Sequence, residues 1–453
     1  MKCCSTGAKM ADNYSMITTE NEGRVLVRLA GPMVLGILGM IVFNLMDTWY
    51  VGRLGTIELA ALSFTFPVVL IVSSIAHGLG VGMTAAVSRA VGGEDLQKQR
   101  DLITWGLILA FFIVVFFVII GQLTIAPVFR MLGADEQTIP VITEYMRIWY
   151  WGVIFVVIPM VGNSAIRGLG DTKTPSMVML TAAVINTILD PLLIFGLGPF
   201  PALGVSGAAI ATVFARATTF TVALYILIKR EKVFIPARRP FSKISEAWKE
   251  ILHVGIPNAL AKIIIPLGTG FITSMIAVYG RNAVAGFGVA SKLEMFALLP
   301  VQALISVIPV FIGQNLGAGR NDRVKRGLAL SGLFSLFYGA AAYLLLFLLG
   351  RTIGRLFNDN TEVVGIIALY MKIVPAAYLA YALMQLAGTS LSVMKKPVLS
   401  ALISLTQIFA VYLPLAFAGS KLLGIAGIFA ALAVSWLIIG IPAFLLTRRS
   451  IRI

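Results

Sequence analysis

The sequence predicts an all-α integral membrane protein whose twelve transmembrane helices form two related six-helix bundles. Composition is the first reason, because the 453 residues are 58% hydrophobic and 12% charged, with a mean hydropathy of +0.93. Such a chain cannot cover a soluble globule with polar side chains. In addition, apolar stretches of membrane-spanning length recur along the chain, and its second half repeats landmarks of the first.

Each predicted span is a mainly apolar stretch of roughly 20 residues, the length that a helix needs to cross about 30 Å of hydrocarbon at 1.5 Å per residue. The stretches lack the alternation of polar and apolar residues that is typical of strands, so helices are predicted, which satisfy their own backbone in lipid. The twelve spans cover approximately residues 26–49, 59–84, 102–125, 141–164, 174–197, 207–228, 252–278, 284–312, 327–350, 366–389, 397–418 and 424–446.

The basic residues predict the orientation of the chain. A net charge of +16 and an isoelectric point near 10.0 would also suit a nucleic-acid-binding protein, but here the basic residues lie in short connections between spans. By the positive-inside rule, the side richer in Lys and Arg faces the cytoplasm. We therefore expect a multi-pass protein of the inner or plasma membrane with both termini in the cytoplasm, and no nucleic-acid partner. The connections assigned to the outer side carry Arg53, Arg130, Arg281, Arg351, Arg355 and Lys421.

The two halves of the chain correspond under a shift of about 225 residues. Because each repeat holds six spans, an even number, the halves are predicted to share one orientation and to be related by a pseudo-twofold axis along the membrane normal. The matched landmarks include Leu29–Pro32 with Val254–Pro257, Tyr145–Ile148 with Tyr370–Ile373, and Leu203–Gly207 with Leu423–Gly427.

These observations divide the chain into five predicted parts. Residues 1–22 form a cytoplasmic leader that holds the only two cysteines, Cys3 and Cys4, and lacks the apolar core of a signal peptide. A disulfide framework is therefore not expected. The remaining parts are an N-terminal lobe (23–228), a cytoplasmic linker with an amphipathic helix (229–250), a C-terminal lobe (251–447) and a basic tail (448–453).

Two aspartates lie inside predicted spans, where an ionisable group is costly and is usually functional. Asp47 and Asp190 are both expected in the outer half of the membrane. The repeat places Ile272 and Leu413 opposite them, so this pair belongs to the N-terminal lobe alone. A residue needed only for folding would be expected in both halves, and the asymmetry therefore indicates a transport function. Asn186, four residues before Asp190, shares its helical face.

The pair suggests two kinds of coupling ion. Two carboxylates close together in a medium of low dielectric constant can hold a proton near neutral pH. Alternatively, the oxygens of Asp190, Asn186 and Thr212, which arrives at a similar depth, could bind a hard monovalent cation such as Na⁺. Pro32 and Pro191 each remove a helix hydrogen bond and are predicted to let the first and fifth spans bend.

Other chemistry finds no support in the sequence. His77 and His253 stand alone without metal-ligand spacing, and no glycine-rich phosphate loop is present. We therefore expect no enzymatic activity and no cofactor apart from the coupling ion. Four further charged residues within spans have no assigned role, namely Arg216, Lys262, Lys292 and Glu294.

Several motifs together resemble one transporter family. They are Asp47 in a span beginning Leu29-Ala30-Gly31-Pro32, Asn-x-x-x-Asp-Pro at 186–191, Leu-Gly-x-x-Gly-Ala-Ala-x-Ala-Thr at 203–212, and Arg-Gly-x-Gly-Asp at 167–171. The sequence resembles a MATE (multidrug and toxic compound extrusion) transporter over residues 22–447, and within that family the DinF-like prokaryotic branch. The other large bacterial branch has carboxylates on its seventh and tenth helices. Here the seventh span offers Lys262 and the tenth has no acid, so the N-terminal lobe is expected to be the coupling site.

The resemblance implies a twelve-helix antiporter that exports organic, mainly cationic or amphipathic drugs or toxins in exchange for H⁺ or Na⁺. It assigns Asp47, Asn186, Asp190 and Thr212 to the ion site, and it adds Tyr145 and Asn163 to the polar network lining the lobe. Binding of the ion from outside would neutralise the carboxylates, rearrange the first helix around Pro32 and release the substrate. We expect the protein to act as a monomer.

Two alternative functions stay open at this point. A lipid or lipid-linked oligosaccharide flippase of the same superfamily would need a cation-rich cavity, which Arg216, Lys262 and Lys292 could supply. A membrane-embedded lipid-modifying enzyme would need clustered acids at the membrane face. The nearest candidate for such a cluster, Glu94-Asp95, lies among basic residues in what is predicted to be a solvated turn.

Overall fold

The computed structural model describes residues 14–54, 56–233 and 240–451, and these form helices with short connections and no strand. The first half contains α1 (Glu22–Gly52), α2 (Thr56–Gly92), α3 (Leu96–Met131), α4 (Thr138–Gly152), α5 (Ile154–Gly168), α6 (Lys173–Phe195) and α7 (Gly204–Tyr225), which continues into a π-helical turn at Ile226–Arg230. Cys3 and Cys4 lie outside the described residues.

The second half begins with α8 (Phe241–Ala277), α9 (Arg281–Ala297), α10 (Leu299–Gly317), α11 (Asn321–Phe357) and α12 (Thr361–Ile373). A 3₁₀ turn at Val374–Ala377 joins α12 to α13 (Tyr378–Val393). The chain ends with α14 (Pro397–Leu405), a π-helical segment (Thr406–Tyr412), α15 (Leu413–Leu423) and α16 (Ile425–Ser450).

The prediction of an all-helical membrane protein with twelve spans is confirmed. In the described part of the chain, twelve helical stretches are long and apolar enough to cross a bilayer. Three of these spans combine successive elements without a loop between them: α4 with α5, α12 with α13, and α14 with α15. The chain is therefore a multi-pass membrane protein, as its composition predicted.

The predicted eighth span, 284–312, is wrong as one continuous helix. The chain breaks at Leu298, between α9 and α10, and only α10 is by itself long and apolar enough to count as a span. Pro300 explains the break, because it has no backbone N–H and its ring would clash with the carbonyl four residues earlier. A proline is best accommodated in the first turn of a helix, which is where α10 carries it.

The chain forms two compact units. The first comprises Gly31–Ala259 and the described residues before Ile17, and the second comprises Ile17–Ala30 and the described residues from Leu260 onward. The unit boundaries fall inside α1 and α8, so each of these helices contributes to both units. The predicted lobes, 23–228 and 251–447, describe how the spans group in the membrane, and they stay a prediction.

The helix predicted in the linker is the beginning of α8 and is not a separate element. Helix α8 runs without a break from Phe241 to Ala277, while residues 234–239 lie outside the described part. The Trp248 indole N–H donates to the carbonyl of Trp105 over 2.8 Å. Glu250 forms ion pairs with Arg89 and Lys98, each at 3.0 Å. These contacts attach the first turns of α8 to α2 and α3.

Glycines let α6 approach its neighbours closely. A Cβ atom at Gly36 of α1 would lie 2.9 Å from the Cα of Ser176, and one at Gly207 of α7 would lie 2.4 Å from the Leu193 carbonyl oxygen. Both separations are far below ordinary van der Waals contact, so larger residues would push the helices apart. Close packing of α1, α6 and α7 brings together the helices that carry the predicted site.

Candidate ion-binding site in the first unit

Asp190 and Asn186 form the buried centre of the site, on α6. Both side chains are fully buried, with 0% exposure, and the Asn186 Nδ2 donates to Asp190 Oδ1 over 3.0 Å. The hydrogen bond follows from their spacing, because residues four apart stack on one helical face. Asp190 Oδ2 and Asn186 Oδ1 have no hydrogen-bond donor among the described residues. Two buried acceptor oxygens are therefore available to a proton, a cation or a water molecule.

Asp47 and Tyr145 extend the site toward α1 and α4. Asp47 is half-buried and lies within electrostatic reach of Asp190. Tyr145 is 6% exposed and interacts electrostatically with both carboxylates. These electrostatic interactions link side chains of α1, α4 and α6 within the first unit. Their roles in ion coupling and in the polar network stay a prediction.

Arg216 of α7 is the residue whose place the sequence did not predict. Its guanidinium carbon lies 4.8 Å from the centre of the Phe43 ring, and its charge interacts with Asp47. Stacking over an aromatic ring suits a guanidinium that has left water. The sequence signal for Arg216 was that a charged residue lies in the interior of a span, one turn after Thr212. Its partner lay on a distant helix, so spacing along the chain could not identify it.

The other predicted residues have fewer described contacts. Asn163 of α5 is 9% exposed, and its Oδ1 has no donor in the described part of the chain. Thr212 is half-buried and takes part in none of the described side-chain hydrogen bonds. Pro32 and Pro191 lie inside α1 and α6, and both helices continue past them. Bending at these prolines stays a prediction.

Asp171 fixes the start of α6, outside the membrane-spanning segments. Its carboxylate accepts hydrogen bonds from the Thr174 backbone N–H (3.0 Å) and hydroxyl (2.6 Å), and from Arg230 Nη2 (2.6 Å). Burial raises the pKa of Asp171, but the bonds from Thr174 and Arg230 lower it by more, so the pKa lies below its usual range. Asp171 thereby anchors the helix that carries Asn186 and Asp190.

The arrangement is chemically suited to exchanging one positive charge. With all three groups ionised, Asp47, Asp190 and Arg216 together carry one net negative charge. A single proton or monovalent cation would neutralise it. The oxygens available for a cation are those of Asp47, Asp190 and Asn186, and Thr212 would have to turn toward them.

Known proteins resemble the chain over nearly its whole length. The MatE family model matches residues 32–192 and 257–418, once in each half, in agreement with the internal repeat. A protein of Shewanella oneidensis named "FAD transporter" is 37% identical over 440 residues, 97% of each chain. "Probable multidrug resistance protein YoeA" of Bacillus subtilis is 28% identical over 418 residues, 90% of each chain. Among solved structures, the Vibrio cholerae MATE transporter VcmN in the bent form matches with a TM-score of 0.90 at 28% identity, over 97% of this chain and 98% of that one.

Proposed function

The chain belongs to the MATE family of membrane transporters, and we propose that it is a secondary active antiporter that exports organic compounds in exchange for protons. Transport of small organic substrates is the property of the family. We propose three further points: the coupling ion, the direction of transport and the residues that couple the two.

One observation carries the proposal, namely the buried Asp190 with its free oxygen beside Asp47. An ionised carboxylate without a partner is strongly unfavourable inside a span, whereas its protonated form is tolerated. A proton that enters from outside would neutralise the pair. Helix α1 would then rearrange around Pro32, weaken substrate binding and release the substrate. Loss of the proton to the cytoplasm would reset the site.

Arg216 favours a proton over sodium. A sodium ion at Asp47 would lie in the field of the guanidinium, which repels it. It would also need several oxygen ligands, which Asp47, Asp190 and Asn186 would have to supply together. A proton needs one acceptor oxygen, and Asp190 Oδ2 offers it.

The test is export from proteoliposomes that are loaded with a fluorescent organic cation. A pH gradient should drive export by the native chain, and Asp47→Asn should abolish it. Asp359→Asn is the matched control, because Asp359 is an exposed aspartate in the connection between α11 and α12. Export driven by a sodium gradient alone, or full activity in Asp47→Asn, would contradict the proposal.

A second candidate function is export of flavin dinucleotides. It is favoured by the 37% identity to the protein named FAD transporter, which extends over 97% of both chains. The pyrophosphate of such a substrate is anionic and needs cationic partners. Lys262 of α8 and Lys292 of α9 have exposed side chains within the second unit and could provide them.

Proteoliposomes loaded with FAD distinguish the two candidates. Gradient-driven loss of FAD, reduced in Lys262→Gln or Lys292→Gln but unchanged in Lys325→Gln, would support flavin export. Lys325, a half-buried lysine in the first turns of α11, is the control. Retention of FAD together with export of the organic cation would eliminate the second candidate.

A further inference from the structure

A further carboxylate, Glu294, lies in the second unit, near the end of α9. Glu294 accepts a short hydrogen bond from the Tyr370 hydroxyl of α12. Tyr378, Tyr381 and Tyr412 also interact with it electrostatically. Four tyrosines therefore interact with one carboxylate, and three of them lie in the span Thr361–Val393. The mechanism proposed above does not use this cluster.

Two tyrosine hydroxyl groups that interact with Glu294, those of Tyr378 and Tyr381, donate to no acceptor among the described residues. Tyr378 is 1% exposed, and its hydroxyl has no hydrogen-bond partner among the described residues. The Tyr381 oxygen accepts from Gln302 Nε2 over 2.6 Å and from Gln385 Nε2 over 3.5 Å. A phenol oxygen that accepts two hydrogen bonds still has its own proton to donate. Both phenol protons are thus available to an acceptor such as a carboxylate.

No cation compensates Glu294 in the described part of the chain. None of the described ion pairs includes it, and its hydrogen-bonding partner is the neutral Tyr370. Lys292 is exposed on the same helix, and the Lys372 ammonium lies 5.8 Å from the centre of the Phe347 ring. The titratable groups that face the cluster are phenols, namely Tyr370, Tyr378, Tyr381 and Tyr412, with Tyr338 donating to the adjacent Ala297 carbonyl over 2.6 Å.

The internal repeat relates this cluster to the first site. Tyr145 and Tyr370 are matched positions, and each is a buried tyrosine close to a carboxylate of its own unit. The carboxylates come from different helices, α1 and α6 in the first unit and α9 in the second. A search for acids at positions matched to Asp47 and Asp190 therefore misses Glu294.

We propose that Glu294, held by Tyr370 and faced by Tyr378 and Tyr381, is a second proton-binding site. Glu294 is half-buried, and a carboxylate that is partly removed from water without a cation takes up a proton when the alternative is an uncompensated charge. The phenols would stabilise the charged form for the part of the cycle in which the proton has left. The proposal deepens the antiport mechanism and rests on it for its role in transport, whereas proton binding itself is measurable without substrate.

The position of Glu294 suggests how the proton would act on the fold. The Leu298 N–H donates to the Glu294 carbonyl over 2.8 Å, and Leu298 is the residue at which the span is interrupted. A change in the charge of Glu294 therefore occurs within one turn of the break between α9 and α10. Discontinuous helices commonly form the substrate and ion sites of transporters.

The experiment uses dicyclohexylcarbodiimide, an apolar reagent that modifies protonated carboxyl groups. The native protein is labelled over a range of pH in detergent, without substrate, and the modified residue is identified by peptide mass spectrometry. Glu294 should be labelled at neutral pH, and its labelling should decline as the pH rises. The exposed Glu94 should stay unlabelled. Tyr370→Phe should shift the midpoint pH of the labelling. Tyr343→Phe should not, because Tyr343 lies on α11 and does not belong to the cluster around Glu294.

Three results would overturn the proposal: absence of Glu294 labelling at every pH, labelling that does not depend on pH, or labelling that Na⁺ suppresses at constant pH. A second measurement is the number of protons taken up on acidification, which Glu294→Gln should reduce by about one per protein if one site is lost. If Glu294 is labelled as expected but the protein shows no gradient-driven export, the proton-binding proposal is supported and the antiport proposal is refuted. The two failures are thus distinguishable.

Discussion

The anchor at the start of α6 gives a stability prediction whose magnitude follows from the structure. Asp171→Asn keeps an acceptor for the Thr174 N–H but loses the charge that pairs with Arg230 at 2.6 Å. A hydrogen bond between charged groups contributes about 1.5 to 3 kcal/mol when buried. Because the Arg230 side chain is 30% exposed, we expect the lower end, about 1.5 kcal/mol. Asp171→Ala also loses the cap, for a total of about 2.5 kcal/mol.

The assay is unfolding in mixed micelles with a denaturing detergent, followed by tryptophan fluorescence. Asp135→Asn is the control, because Asp135 accepts from the Thr138 N–H over 2.8 Å at the start of α4 but has no arginine partner among the described residues. A double-mutant cycle with Arg230→Gln isolates the coupling of the pair. If Asp171→Asn is no less stable than Asp135→Asn, the reasoning is refuted.

The same anchor predicts a pH dependence. The pKa of Asp171 is lowered in the folded protein, so its stabilisation is present above the unfolded value of about 4 and is lost as the pH falls through the folded value. Below about pH 4, the native protein should therefore lose stability more steeply than Asp171→Asn. Parallel curves for the two proteins in this acidic range would contradict the assignment.

Three further predictions concern packing, topology and charge. Gly207→Ala should destabilise by about 1 to 3 kcal/mol, since its Cβ would lie 2.4 Å from a backbone oxygen, whereas Gly31→Ala meets nothing within 4 Å and should not destabilise. Cys3 and Cys4 should react with a membrane-impermeant maleimide only after cells are permeabilised, and reaction in intact cells would overturn a cytoplasmic N-terminus. Arg216→Gln should shift the pH of half-maximal export by roughly one unit, and Arg216→Lys by less, measured in proteoliposomes.

Hydropathy and the internal repeat were sufficient to predict the class and the number of spans, and the resemblance of several motifs predicted the family. They failed at the break near Leu298, because apolar residues continue on both sides of it and hydropathy does not register a change in the backbone. The local signal was Pro300. A proline inside a span is compatible with either a kink or an interruption, and tertiary packing decides which one forms.

Only part of the candidate site could be predicted from the sequence, for a related reason. Asn186 and Asp190 are four residues apart, and the period of a helix alone brings them together. Arg216 meets Asp47, and Glu294 meets Tyr370, only through contacts between helices distant in sequence. The unmatched carboxylates of the first half were visible as a departure from the repeat. The tyrosines were not, because tyrosines are common in membrane proteins and those that interact with Glu294 lie in other spans than Glu294 itself.

The charge of the substrate decides how its export can be coupled to the carboxylates of the first unit. A cationic substrate can compete with a proton directly, because both neutralise the single net negative charge of Asp47, Asp190 and Arg216. An anionic dinucleotide cannot bind there in exchange for the proton, since it would add charge of the same sign. Its coupling would have to act indirectly, through a movement of α1. We therefore expect an organic cation to compete directly with the proton. We expect no such competition from FAD.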